Sequence, residues 1–169
     1  AKVLMDNTWA SPLFFKPFEH GVDVSIQAGT KYIVGHADAM LGTVSTTKEA
    51  WHELLECTGY LGQCSGPDDL YLAQRGFRTL AVRLRQHQAS ALELAEWLQS
   101  RPEVRQVLYP ALPGAPGHEI WKRDFLGASG LFGIELKPCA EEAVAEMLNG
   151  MRLFGMGYSW GGYESLLIP

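Results

Sequence analysis

One lysine sits in a tight loop, Gly29-Thr30-Lys31-Tyr32, just after an apolar stretch, Val22–Ile26. Open α/β sheets bind ligands at the carboxyl ends of their strands, where this loop would lie. Gly29 lets backbone come close to a ligand, and Thr30 offers a hydroxyl and an N–H to a phosphate oxygen. A lysine packed into such a site loses charge by desolvation and becomes a usable nucleophile or base. On local composition alone, a solvated surface lysine is the commoner outcome.

A second polar group follows the apolar run Val3-Leu4-Met5: Asp6-Asn7-Thr8-Trp9-Ala10. By itself an Asp-Asn pair more often caps a turn. A pyridoxal phosphate (PLP) site needs a Schiff-base lysine and an acid that keeps the pyridine nitrogen protonated. Lys31 and Asp6, each at a strand end, could supply the two.

The elements that must position them read as an α/β order. Strands are expected at Val3–Met5, Val22–Ile26, Met40–Val44, Val104–Leu108 and Leu131–Leu136, with a strand-like piece at Phe154–Tyr158. A helix is expected over Thr46–Tyr60, with Thr46 or Thr47 as N-cap and Glu49 completing a capping box. From Asp68 to Ser100 one long helix or two abutting ones would carry Leu80, Leu84, Ala91, Ala95 and Leu98 as a single apolar stripe. Pro102 ends that run. Shorter helices are expected at His118–Phe125 and Glu141–Leu148. The change of pattern near Ser100–Pro102 predicts a boundary between residues 1–100 and 101–169.

The 169 residues are 47% hydrophobic and 20% charged, enough for a sizeable core. A net charge of -5 argues against nucleic-acid binding, which needs a basic face. No apolar run approaches the ~20 residues that span a bilayer. Three sparse cysteines predict a reduced, cytoplasmic protein. The chain opens on a strand and stops on the apolar run Ser165–Pro169, which predicts a segment of a longer protein.

Asp6-Asn-Thr-Trp-Ala, followed by Thr30-Lys-Tyr-x-x-Gly-His-x-Asp38, resembles the signature of the PLP enzymes of cysteine and methionine metabolism. The resemblance runs end to end, through Arg75-Gly-Phe-Arg-Thr-Leu-x-Val-Arg83 to Tyr158-Ser-Trp-Gly-Gly-Tyr-Glu-Ser165. It implies an aspartate-aminotransferase-like PLP-dependent transferase fold. Residues 1–100 would be the second half of the large domain and residues 101–169 the start of the small one. It implies PLP as cofactor, Lys31 as the Schiff-base lysine, Asp6 on the pyridine nitrogen, Thr30 on the phosphate and Thr8 against the ring. The last motif is most similar to that of the bacterial β-lyases of the family. Ser159 would then contact the substrate carboxylate, with Tyr158 and Trp160 as pocket wall. The implied reaction is β-elimination from L-cystathionine, a small-molecule sulfur amino acid, in a homotetramer. A sister γ-synthase or γ-lyase is the neighbouring alternative.

Two positions depart from the family pattern. Ala28 stands where most members have serine, so one phosphate contact must come from elsewhere; Ser25 is one candidate. The usual Gly-His-Ser-Asp is Gly35-His36-Ala37-Asp38. By the same resemblance, the Gly-rich phosphate loop and ring-stacking tyrosine precede residue 1. The arginine for the substrate carboxylate follows residue 169. The isolated segment is therefore expected to be inactive.

Other signals carry less. Gly155-Met-Gly157-Tyr-Ser-Trp-Gly161 lacks the spacing and following helix of a dinucleotide fingerprint. His52, Cys57 and Cys64 lack a Cys-x-x-Cys pair, and the cysteines read as core or boundary residues. His118 reads as a capping or surface residue. Arg78, Arg83 and Arg85 read as a solvated or subunit-contact face, and the tryptophans mostly as core.

Overall fold

The structure, a computed structural model, describes residues 1–169. Strand β1 (Leu4–Asp6) pairs in parallel with β2 (Val24–Ala28), which pairs antiparallel with β3 (Gly42–Thr46). Because β1 and β2 are parallel, their carboxyl ends lie at one edge of the sheet. The register sets Asp6 opposite Ile26. The β1–β2 crossover holds α1 (Ser11–Phe14) and a 3-10 turn, Pro17–His20. Each carries proline in its first turn, where no N–H is needed.

Three helices follow β3: α2 (Lys48–Tyr60), α3 (Pro67–Phe77) and α4 (Leu80–Gln99). The apolar stripe expected on the long helix is real and joins two cores. Leu80 and Leu84 pack with Ala10, Phe14, Phe15 and Tyr32. Three turns on, Ala91 and Ala95 pack with Val107, Tyr109, Leu112 and Ala128. At 20 residues, about 30 Å, α4 is long enough to serve both.

Beyond α4, β4 (Val104–Leu108) pairs antiparallel with β5 (Gly133–Leu136), and α5 (His118–Asp124) lies in the connection. Then come α6 (Glu141–Asn149) and the short parallel pair β6 (Gly155–Met156) and β7 (Leu166–Leu167). No helix is long and apolar enough to cross a membrane.

Of the two forms expected for Asp68–Ser100, the structure has two abutting helices, separated at Arg78–Thr79. Gly76 lies in the last turn of α3, just before that separation. Its backbone lies so near the loop before it that an added Cβ would sit 2.2 Å from the Val34 carbonyl oxygen. Arg83 then closes the end of α3, donating from Nη2 to the Gly76 carbonyl at 2.8 Å and from Nε to Thr79 at 3.0 Å. Arg83 is therefore half-buried and structural, not part of a solvated basic face. The capping box on α2 is not formed: Thr46 ends β3, and Thr47 makes no side-chain cap bond. Strand β7 was not anticipated, because two residues are too few to show a period. Cys57, Cys64 and Cys139 are exposed, as are Trp51 and Trp97, each about half accessible.

Two consequences can be measured on the full-length protein. Gly76→Ala must push α3 off the Ile33–Val34 backbone, which should cost about 1–3 kcal/mol in urea unfolding. An unchanged midpoint would mean the helix does not approach that closely. His87 is half-buried, and burial, then the Arg83 charge, hold its pKa below the usual value. The unfolded chain thus takes up a proton first, and stability should fall as pH drops below about 6.5. His87→Gln should lessen the fall in Tm between pH 7 and 5; identical slopes would remove His87 from the acid response.

Candidate active site

The β1–β2 edge gathers the first two residues singled out by the sequence. Asp6 is the last residue of β1, and its Oδ1 accepts from the Thr8 N–H at 2.8 Å and from the Thr8 hydroxyl. The same Thr8 oxygen accepts from the Ala28 N–H at 2.8 Å. One hydroxyl thus ties the Asp6 carboxylate to the end of β2. Asn7 adds a backbone bond to the Ile26 carbonyl, 2.8 Å. Asp6 itself is exposed, and its Oδ2 has no protein donor.

Lys31 lies three residues beyond β2, in a turn closed by Val34 N–H to the Gly29 carbonyl and Gly35 N–H to the Lys31 carbonyl. Gly29 lets the turn pack on Leu41: a Cβ there would meet the Leu41 side chain at 3.0 Å and its carbonyl oxygen at 3.1 Å. Thr30 is braced by the same residue. Its N–H donates to the Leu41 carbonyl at 3.2 Å, and its hydroxyl accepts from the Leu41 N–H at 3.2 Å. The hydroxyl proton has only a 3.5 Å contact with the Leu41 carbonyl, so it can still turn to another acceptor.

The loop between β6 and β7 comes over this turn. Lys31 Nζ donates to Ser159 Oγ at 2.7 Å and lies 5.3 Å from the Trp160 ring centroid. Ser159 adopts φ 86, a left-handed conformation that costs a non-glycine residue roughly 1–3 kcal/mol. The tight approach of Gly161, whose absent Cβ would sit 3.0 Å from the Lys31 carbonyl carbon, holds it there. Beside the lysine runs a cleft of about 680 Å³, lined by Thr30, Asp38, Met40, Tyr158, Ser159 and Trp160 among others. Tyr158 is largely exposed to it.

The structure therefore brings Thr30, Tyr158, Ser159 and Trp160 around one cleft, and Lys31 reaches its wall through Ser159 and Trp160. Asp6 and Thr8 stand at the neighbouring strand end, outside the cleft lining. Ser25 is on the wrong face to stand in for a serine at Ala28. Residues alternate along β2, so Ser25 and Gln27 face opposite to Ala28, and the Ser25 hydroxyl is buried without a partner. Tyr32, Leu41 and Gly161 were missed as shaping residues. A tyrosine directly after the lysine and a Gly-Gly pair after Trp160 were the available signals.

All 169 residues match the family model for Cys/Met metabolism PLP-dependent enzymes. The chain belongs to that family. Its cofactor is pyridoxal 5′-phosphate, and its mixed α/β fold is that of these enzymes. The chain is 52% identical to the cystathionine β-lyase MetC of Escherichia coli K12, over 99% of this chain and 43% of that protein. It is 51% identical to the cystathionine β-lyase of Salmonella typhimurium LT2, with the same coverage. Among solved structures, cystathionine γ-synthase from Xanthomonas oryzae pv. oryzae, in complex with cystathionine, superposes with a TM-score of 0.93 at 38% identity, over 98% of this chain and 43% of that one. The chain thus spans less than half the length of the relatives it matches.

The residues present fit the cofactor. A primary amine, a carboxylate with one oxygen uncommitted and a hydroxyl with a weakly engaged proton stand at adjacent strand ends. If Thr8 sets the Asp6 carboxylate, Thr8→Val should leave a buried amide and the acid short of a partner each. The expected cost is about 1–3 kcal/mol in stability, with weaker PLP retention on dialysis. Thr8→Ser should restore both; a valine variant that keeps both would refute the bridge.

Proposed function

We propose that the full-length protein is a carbon–sulfur lyase that cleaves L-cystathionine by β-elimination, releasing homocysteine, pyruvate and ammonia. The observation that carries this reading is Ser159, which grips Lys31 Nζ at 2.7 Å between the aromatic neighbours Tyr158 and Trp160. That aromatic motif sits in a chain about half identical to proteins named cystathionine β-lyases.

Bound PLP supplies an electron-poor ring that takes up the electron pair left when an amino acid loses its Cα proton. Lys31 would hold the cofactor through its amine and, with that amine freed, would receive the Cα proton on Nζ. Asp6 would hold a proton at the ring nitrogen, and Thr8, beside the ring, would keep that carboxylate in place. Thr30 would donate its hydroxyl proton to the phosphate. Ser159 first orients the lysine and, once Nζ has a new partner, is available to the substrate carboxylate. Tyr158 and Trp160 wall the side of the cleft where the sulfur-bearing chain would lie. In this reading residues 1–100 are part of the PLP-binding large domain and residues 101–169 begin the small one. The enzyme would work in the cytoplasm as a homotetramer.

Borohydride reduction of the full-length holoenzyme should leave a pyridoxyl group on the peptide carrying Lys31, found by mass mapping. Lys31→Ala should lower kcat by about a thousandfold or more. An adduct on another lysine would overturn the site. Products then separate the sister activities, a live question given the likeness to a γ-synthase. Pyruvate with homocysteine supports the β-lyase, and 2-oxobutyrate with cysteine would make it a γ-lyase.

A further inference from the structure

The residues that follow Lys31 and the Asp6–Thr8 turn converge on one segment, Ala128–Leu131. Trp9 follows the Asp6–Thr8 turn directly, and its indole N–H donates to the Leu131 carbonyl at 2.8 Å. Tyr32 follows Lys31 directly and is almost wholly buried, 3% exposed. Its hydroxyl faces Ser129 and the amides of Gly130 and Leu131. Ser129 is fully buried, and its own hydroxyl has no formed hydrogen bond, so the Tyr32 hydroxyl is the polar group set against it. On the other side, Tyr109 of the β4 end donates to the Ser129 carbonyl at 2.7 Å.

This segment is itself rigidly held. The Ala128 N–H donates to Gln88 Oε1 at 2.7 Å, and the Leu126 N–H to the Phe14 carbonyl at 2.7 Å. Gly127 has no room for a Cβ, which would sit 2.4 Å from the Phe14 ring, and Gly130 lies against His87 of α4. The Tyr32 ring is clamped in turn: 5.3 Å and edge-on to Trp160, 5.5 Å from His87, and within 3.0 Å of where a Gly161 Cβ would stand. So Tyr32 touches the lysine's backbone, the ring beside the lysine amine, α4 and the Ser129 segment.

We infer that Tyr32 is a positioning residue: its ring, packed against Trp160 and His87 with the hydroxyl end turned toward buried Ser129, sets where Lys31 stands relative to Asp6. The tie is indirect, through the strut that also holds Trp9. Its removal should therefore disturb geometry more than it disturbs occupancy. This inference rests on Lys31 and Asp6 handling PLP as proposed above.

The test is Tyr32→Phe in the full-length holoenzyme, which keeps the ring and removes only the hydroxyl. Three quantities decide it: PLP per subunit, the visible circular dichroism of the bound cofactor, and kcat and KM with cystathionine. The expected result is near-full PLP content, an altered visible dichroic band, and kcat lower by about tenfold with KM little changed. Ser129→Ala removes the partner from the other side and should move the band and kcat in the same direction by less. It also serves if Tyr32→Phe fails to fold. Loss of Tm alone, with band and kcat per bound cofactor unchanged, would make Tyr32 a plain core residue and overturn the inference. The dichroic comparison does not depend on which thioether is cleaved. Wild-type enzyme that binds PLP on another lysine would instead defeat the site assignment itself.

Discussion

The Thr8 hydroxyl stands between a carboxylate and a backbone amide, and the placement of the site follows from that position. It gives its proton to Asp6 and accepts one from Ala28, so the end of β1 cannot move relative to the end of β2 without losing two hydrogen bonds. The parallel register does the rest by putting both strand ends at one edge. A single residue of slip would turn Asp6 to the other face of the sheet. Because Lys31 starts only three residues past Ala28, the same bridge that sets the acid also sets the root of the lysine's turn.

The lysine's own surroundings are chosen by what they omit. Its amine contacts a hydroxyl and the face of an indole, and forms no ion pair. A carboxylate at hydrogen-bonding distance would favour the charged ammonium strongly. A hydroxyl orients the amine with a weaker grip that a reacting group can displace. The cost of this arrangement falls on Ser159, whose left-handed backbone is tolerated because Gly161 and the β6–β7 pairing fix the loop at both ends. Local strain held by a well-bonded surround is what one expects where a side chain must be presented for chemistry.

Much of this was legible in the sequence, and the failures share a cause. The strand positions and the α4 stripe rest on periodicity, and the placing of Asp6 at the end of β1 and Lys31 just past β2 rests on residues near one another in sequence. What was missed rests on contacts between distant segments. Position 76 must be glycine because α3 meets the Val34 backbone there, and Arg83 is turned inward onto the Gly76 carbonyl. No local pattern announces either. Gly29 sits in a loop of ligand-binding composition, yet its missing Cβ makes room for Leu41, just before β3. Trp51 and Trp97 show the same limit from the other side, since aromatic character alone does not decide which face of a helix finds a partner.

That last point bears on how the chain behaves. A compact protein of 18.7 kDa would expose roughly 8,300 Å² by the usual scaling, yet this chain exposes 11308 Å². Tyr60, Leu61, Trp51 and Leu55 on and after α2 lie open, and so do Val3 and Leu4 where β1 begins. Edge strands with free N–H and C=O groups and exposed apolar side chains are templates for further pairing. The two internal cores joined by α4 are nonetheless dense, with Leu84, Ala95, Leu112, Ala128 and Ser129 fully buried. The segments that carry Asp6 and Lys31 thus pack through Trp9, Ala10 and Tyr32 onto the cores along α4, away from the exposed faces.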